Sequence, residues 1–311
     1  MSTLYLTHPA FKNHDTGPGH PERADRMRAI DAVMEHEVFN ALVREDAPEA
    51  DFELLKLVHP ANYIEAIRQS MPDRGHIYLD GDTPMSPGSL EACLRGAGAG
   101  LRAVDAVMTG EVKNAFCGSR PPGHHAEPSR AMGFCVFSNA AIAGKYARAK
   151  HGAERIAVVD FDVHHGNGTQ AAFWDDKDLF FASTHQYPFY PGTGALSETG
   201  VANNIVNAPL REGDGGDKFR AAFNERVLPA LRNFHPDIVI ISAGFDAHRD
   251  DPLGSLRLVE ADFGWATAEI MEIAEELAGG RVVSMLEGGY DLRGLASSVA
   301  VHVKTLMEAS K

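Results

Sequence analysis

The stretch Val158 to Gln170 reads VVDFDVHHGNGTQ, an apolar run that ends in acids and histidines. Asp162 and His164 stand two positions apart. At the end of an extended strand that spacing points both side chains to one side. Asp246, in GFDAHRDDP, offers a third ligand. Two carboxylates and one imidazole leave an open coordination position, which is the plan of a catalytic zinc; structural zinc is usually closed by four ligands rich in cysteine. Iron or cobalt suits the same ligand types. On a purely structural reading Asp162 caps a helix beginning near Gly166 and His164 merely packs. Asp246 favours the metal over that reading.

A second group lies in RPPGHHA, where Pro121, Pro122 and Gly123 restrict the loop that carries His124 and His125. Adjacent imidazoles that are not ligands suit general acid/base work near neutral pH. A carboxylate behind one ring raises its basicity and fixes its tautomer, and Asp160 is the candidate. Tyr290 lies in EGGYD, where the glycines leave its phenol free to move toward a developing oxyanion. Phe134 in GFC and Tyr190 in FYPGTG are loop aromatics that either wall a narrow channel or belong to the core. Together these parts describe metal-assisted hydrolysis of an amide. The metal polarises the carbonyl and activates water, a histidine takes the proton, and a histidine protonates the leaving amine.

Positioning such residues requires strands that end at one edge. Short apolar runs predict strands at Asn114–Cys117, Ile156–Val159, Leu179–Ser183, Ile238–Ser242 and Val282–Leu286. Between them amphipathic stretches predict helices at Ser89–Met108, Ser138–Lys150, Asp217–Phe234, Glu260–Ala278 and Leu295–Ala309. Strands without polar alternation fit a sheet covered on both faces, and alternation with helices fits parallel strands. The expectation is one α/β domain over residues 1–311. The chemistry-bearing loops follow four of the strands, and in parallel sheets ligands bind beyond the carboxyl ends.

The net charge of −14 argues against nucleic-acid binding, which relies on clustered Lys and Arg. The 44% hydrophobic and 23% charged fractions are those of an ordinary globular protein. Cys93, Cys117 and Cys135 form no CxxC pair, which fits a reducing cytoplasm. Neither a signal peptide nor a membrane-spanning run is visible in the sequence.

RPPGHHA, MGFC, DFDVHHGNGTQ, FYPGTG, GFDAHRDDPLG and EGGYD resemble the signature loops of the zinc-dependent histone deacetylase superfamily. HDTGPGHPERADRM is similar to the first active-site loop of its class II branch, which includes bacterial histone deacetylase-like amidohydrolases and acetylpolyamine amidohydrolases. The motifs run in family order from about Gly17 to Tyr290. The resemblance implies the arginase/deacetylase fold, a central, mostly parallel sheet with helices on both faces. It implies one zinc on Asp162, His164 and Asp246. It implies His125 as the proton-transfer histidine, His124 as its partner with Asp160 behind it, and Tyr290 as the carbonyl polariser. Gly133, Phe134, Tyr190 and Leu253 would line the substrate channel, with Asp82 as a rim acid and Asp80 as its rival. Arg23 resembles an arginine behind the site. Structural potassium would sit on backbone carbonyls at Asp160, Asp162, His164, Ser183 and Thr184, and a second at Phe173, Asp176, Leu179 and Asn204.

Three positions depart from the family pattern. Asn167 stands where class I members carry an aspartate behind the second histidine. Tyr190 stands where phenylalanine is usual. Leu253 stands where a polyamine-specific eukaryotic member has a gatekeeping glutamate, which argues against polyamines as the main substrate. The substrate is expected to be acetyl-lysine or a related acylated amine, with acetylated polyamines and small amides as alternatives. A homo-oligomer is left open. A two-metal ureohydrolase needs further bridging aspartates, and one well-placed acid after Ser242 makes one metal the better count. A catalytically dead binding module predicts loss of a ligand, of the histidine pair or of Tyr290, and all are present.

Overall fold

A computed structural model describes residues 2–310. Eight parallel strands form the main sheet. They are β1 (Thr3–Thr7), β2 (Val43–Asp46), β5 (Asn114–Cys117), β6 (Ile156–Asp160), β7 (Leu179–Gln186), β8 (Ile205–Leu210), β9 (Ile238–Ala243) and β10 (Val282–Leu286). A small hairpin, β3 (Ile77–Tyr78) with β4 (Pro84–Met85), stands apart from them. The helices are α1 (Asp25–Met34), α2 (Phe52–Leu55), α3 (Ala61–Ser70), α4 (Ser89–Met108), α5 (Asn139–His151), α6 (Asn167–Phe173), α7 (Gly216–Ala222), α8 (Leu228–Phe234), α9 (Glu260–Leu277) and α10 (Leu292–Ala309).

The sheet order is β2, β1, β5, β10, β9, β6, β7, β8. The four strands that precede the chemistry-bearing loops, β5, β10, β9 and β6, are therefore neighbours in the middle of the sheet. Their ends are level: Cys117 lies beside Met285, Leu286 beside Ala243, and Ser242 beside Asp160. With strands spaced about 4.8 Å apart, four adjacent ends place their loops within reach of one another. All residues of these four strands are buried, which is why they read as largely apolar runs rather than as alternating patterns.

Both faces are covered. Met285 packs toward Gly100 of α4, while its neighbour Ser284 bonds His302 of α10 at 2.8 Å. Successive strand residues point to opposite faces, so α4 and α10 lie on opposite sides. On the α10 side, Phe161 and Phe245 meet at 6.0 Å between ring centroids and both pack on Phe263 of α9. Phe161 and Phe245 each immediately precede an aspartate of the candidate metal set. Losing one such ring costs roughly 3–5 kcal/mol, so the aspartate loops are anchored by the core beneath them.

Several elements differ from the sequence reading. β1, β2 and β8 lack an anticipated apolar run. β2 is the charged edge VRED and β8 contains Pro209. β7 continues to Gln186, beyond Ser183, because its last residues stay buried and paired with β8. The single helix expected over Asp217–Phe234 is interrupted by a π-helical turn, Phe223–Val227, just before Pro229. Proline cannot donate the helical hydrogen bond, which accounts for the break. α10 starts three residues earlier than expected because Asp291 caps it, accepting the Gly294 N–H at 2.7 Å.

Buried histidines give the fold a pH dependence of known sign. His302 lies between Thr267 Oγ1 at 2.7 Å and Ser284 Oγ at 2.8 Å, and burial pushes its pKa down to about 3. In the unfolded chain it protonates near 6.5. Its contribution is therefore whole above pH 6.5 and is lost as pH falls below that value, at up to about 1.4 kcal/mol per pH unit. A His302→Gln variant is expected to lose this part of the slope. Thermal unfolding between pH 7.5 and 4.5 checks it: the wild-type melting temperature falls more steeply, and parallel curves would contradict the assignment.

Candidate metal centre

Asp162, His164 and Asp246 form a buried cluster whose ligand atoms lie within 4.8 Å of one another. His164 Nδ1 stands 3.1 Å from Asp162 Oδ1 and 3.2 Å from Asp246 Oδ2. The spacing of Asp162 and His164 predicts a pairing at the end of an extended strand. β6 instead ends at Asp160, and the pairing comes from a turn. Asp160 Oδ1 accepts the Asp162 N–H at 3.0 Å, and Asp162 Oδ1 accepts the His164 N–H at 2.9 Å. Aspartate side chains bonding the main chain two residues on are a common way to fold such a turn.

The remaining oxygens show what the cluster is built for. Asp162 Oδ2 accepts the Gly288 N–H at 2.9 Å, and Asp246 Oδ1 accepts the Val163 N–H at 2.8 Å. Among the described residues, buried Asp246 Oδ2 has no partner besides the His164 ring nitrogen 3.2 Å away. A bare carboxylate oxygen beside another carboxylate is costly unless a cation shares it. Two oxygens and one imidazole nitrogen fit a zinc-type ion with an open position. Gly288 is required here, because a Cβ would collide with both carboxylates. Burial opposes a charge on His164, yet the Asp162 and Asp246 carboxylates raise its pKa to about 10. A site that holds positive charge this strongly suits a dication.

The two adjacent histidines are tuned in opposite directions. His124 Nδ1 bonds Asp160 Oδ2 at 2.9 Å. Burial disfavours its charged form, but the Asp162 and Asp160 carboxylates hold its pKa well above the ordinary value. His125 lies 4.1 Å away between ring centroids. Burial first, then the neighbouring His124 and His164, pushes its pKa well below the ordinary value. Its Nδ1 faces Asn167 Oδ1 at 2.8 Å, and Asn167 Nδ2 donates to Glu127 Oε1 at 2.9 Å. A carboxylate only accepts, so Glu127 fixes which end of the Asn167 amide faces His125. His125 therefore carries its proton on Nδ1 and presents a free Nε2. The asparagine that departs from the class I pattern thus orients His125 without charging it.

Above the cluster lies a cavity of about 120 Å³ lined by Asp82, His125, Gly133, Phe134, His164, Tyr190, Leu253 and Tyr290. All four expected channel residues are among them, and of the two rim candidates it is Asp82. Gly133 and Phe134 are consecutive left-handed residues, φ 58° and 68°. A Cβ on Gly133 would press against the His125 ring. For phenylalanine a positive φ is strained. Phe134 is held there by its N–H, which donates to Thr83 Oγ1 at 3.1 Å.

Tyr290 is more constrained than the glycines before it suggest. Its ring packs edge-on to Phe134 at 5.8 Å and under the Arg26 guanidinium at 4.9 Å. Burial raises its phenol well above the ordinary value, so it remains a donor. The arginine behind the site is Arg26, not Arg23. The Arg23 side chain is 49% exposed and pairs with Asp25. Arg26 is fully buried and donates to Gly289 O at 2.6 Å, Glu287 O at 2.5 Å and Glu22 Oε1 at 3.1 Å. Arg120 shares Glu22 at 2.5 and 2.8 Å. Breaking a buried pair of this kind costs roughly 3–5 kcal/mol, which makes a rigid back wall. Glu287 is a further residue of the site. Its Oε2 accepts the Gly123 N–H at 2.6 Å and the His124 N–H at 3.1 Å, pinning the histidine loop. The signal was the acid in EGGYD, but its partners lie more than 160 positions away.

The expected potassium positions fall in two groups. Asp160 pairs with Ser183 across β6 and β7, and Thr184 follows with its buried Oγ1 unpartnered. In the second group the carbonyls of Phe173, Asp176 and Leu179 converge, at 2.9, 3.1 and 2.8 Å, on Asn204 Nδ2. Asn204 joins this group through its side chain, because its own carbonyl accepts the Phe181 N–H.

Comparison with known proteins agrees with this architecture. The profile described as "Histone deacetylase domain" matches residues 20–306. The chain is 42% identical to "Histone deacetylase 10, chloroplastic" of rice, covering 96% of this chain and 71% of that protein. It is 42% identical to the "Histone deacetylase-like amidohydrolase" of Pseudomonas aeruginosa, covering 88% and 73%. It is 38% identical to the human "Polyamine deacetylase HDAC10", covering 92% of this chain and 44% of that longer protein. The crystal structure of the HDA15 HD domain superposes with a TM-score of 0.92 at 37% identity, covering 99% of this chain and 89% of that one. With an eight-stranded parallel sheet, a buried two-aspartate, one-histidine cluster at its carboxyl edge and a profile match over nearly its whole length, this chain belongs to the histone deacetylase family, hydrolases of amide bonds.

Proposed function

We propose that the protein is a zinc-dependent deacetylase that removes acetyl groups from N-acetyl-lysine or related acylated amines. The observation that carries this reading is the metal-type cluster Asp162, His164 and Asp246, whose His164 lines a small cavity together with His125 and Tyr290. Zinc held there supplies Lewis-acid polarisation of the acyl carbonyl. The chain's own residues do the rest. His125, neutral and with Nε2 free, takes a proton from the attacking water. Tyr290 donates its O–H to the carbonyl oxygen as that oxygen gains charge. As the carbon–nitrogen bond breaks, the proton held on His125 passes to the leaving amine. His124 stays charged against Asp160 and steadies the negative charge that builds nearby. The products are acetate and a free amine.

Phe134 and Tyr190 flank a slot suited to the methylene chain of lysine or a polyamine, and Asp82 offers a charge to a cationic substrate at its mouth. Potassium at the Asp160–Thr184 positions would neutralise the acids behind the zinc; at the second group the Asn204 amide nitrogen already meets the three carbonyls. The whole chain is taken as one catalytic domain, without affinity for nucleic acid; self-association is compatible with the site but not required by it. No helix among the described residues is long and apolar enough to cross a membrane. Three buried free cysteines fit a cytoplasmic setting, although chloroplastic relatives exist.

Acetylated polyamines are the second reading, favoured by the relative named for them. Parallel assays of an acetyl-lysine peptide, acetylputrescine and acetylspermidine separate the two. Peptide turnover is expected to dominate in the wild type. Leu253→Glu, which places a carboxylate on the slot wall, is expected to shift the polyamine-to-peptide ratio upward by about tenfold, one ion-pair increment of roughly 1.4 kcal/mol. Turnover of polyamines alone by the wild type would overturn the reading of Leu253.

A further inference from the structure

Tyr290 follows two glycines, and Gly289 has a φ of 122°, a conformation that glycine adopts far more readily than other residues. Something other than the local sequence must set the tyrosine. On its far side one buried carboxylate does so. Asp251, 7% exposed, collects three main-chain N–H groups. Its Oδ2 accepts from Tyr290 at 2.6 Å and from Asp291 at 3.1 Å, and its Oδ1 accepts from Leu253 at 2.9 Å. Leu253 and Tyr290 line the same cavity but come from different loops, after β9 and β10. Asp251 is the side chain that ties those two loops together. It also faces the first turn of α10, where a negative charge is favoured. Its neighbour Asp250 has its side chain 61% exposed and takes no part.

We propose that Asp251 is a positioning residue for Tyr290, holding the phenol against the substrate carbonyl and fixing the width of the slot beside Leu253. This rests on the reading of Tyr290 as the carbonyl donor. The chemistry requires a group that only accepts. In an asparagine one end becomes an NH2, which must face either the Leu253 N–H or the Tyr290 and Asp291 N–H pair, donor against donor. One side of the clamp then opens, and the Tyr290 main chain shifts away from the side that has lost its acceptor. A displacement of about 1 Å at a reacting group costs up to roughly 100-fold in rate.

The test is a double-mutant cycle on the zinc-loaded protein with an acetyl-lysine peptide. Asp251→Asn is expected to lower kcat about 10- to 100-fold with KM nearly unchanged and one zinc retained per chain. In a Tyr290→Phe background the same substitution is expected to cost less than about threefold, since two residues acting as a unit are not additive. A trifluoroacetyl-lysine peptide, whose carbonyl is more electrophilic and leans less on the phenol, should show a smaller Asp251→Asn defect. Should Asp251→Asn fail to fold, Asp251→Glu, which keeps an acceptor-only carboxylate but displaces it, takes its place in the cycle. Equal losses in both backgrounds overturn the inference while the Tyr290 reading stands. Full activity in Tyr290→Phe alone sinks that reading, and the inference with it.

Discussion

Asp246→Asn is expected to remove amide hydrolysis and zinc uptake together while leaving the metal-free fold at least as stable. The Val163 N–H already occupies Asp246 Oδ1, so the amide keeps its oxygen there. That turns its NH2 toward His164, and an NH2 is not a ligand. Losing a Lewis acid worth several kcal/mol corresponds to roughly a 10³-fold fall in turnover. Stability moves the other way. In the metal-free protein burial, and then the adjacent Asp162, raise the Asp246 carboxyl, so removing its charge relieves strain. Calorimetric melting checks both halves. Wild type gains stability when zinc is added because zinc binds only the native state; the variant gains none and melts no lower than metal-free wild type. A variant that still takes up one zinc and hydrolyses amide would contradict the ligand assignment.

The second large effect belongs to His125. His125→Ala is expected to lower kcat by roughly 10² to 10⁴, the usual worth of a positioned proton-transfer group. The pH profile gives a sharper reading. Burial and the two neighbouring histidines hold the His125 pKa well below its ordinary value, and a dication on His164 would push the same way. The base form is therefore present through neutral pH, and the acidic limb of kcat/KM lies well below pH 6.5. Asn167→Asp, made together with Glu127→Gln so that its second oxygen meets an amide donor, places a carboxylate 2.8 Å from Nδ1, at the position now held by the amide oxygen. That raises the His125 pKa, so the acidic limb moves upward. A limb that stays in place in this double variant would show that His125 is not the group being titrated.

The outcome explains which features a sequence discloses. β5, β6, β9 and β10 are legible because a strand buried on both faces must be apolar throughout, and the loops that follow them stand out by their acids and histidines. β2 is not legible, because an exposed edge carries charge, and β8 is masked by its proline. The ligands and the histidine pair are legible because their chemistry depends on residue type at short spacing. Arg26, Glu287 and Asp251 are not, since each acts on main-chain atoms brought near by folding. Arg26 reaches Gly289 across 263 positions and Asp251 reaches Tyr290 across 39. Nothing in HRDDP distinguishes Asp251 from Asp250; burial alone does. Arg23 and Arg26 pose the same ambiguity, settled by burial: Arg23 precedes α1 and is half exposed, whereas Arg26 lies in its first turn and is fully buried.

The most direct measurement is acetate release from an acetyl-lysine peptide as metal-free protein is titrated with zinc. The account predicts that acetate and free amine appear in equal amounts and that the rate rises linearly to one zinc per chain and then levels. No acetate at any zinc level, or a break at two equivalents, would contradict a single-metal deacetylase built on Asp162, His164 and Asp246.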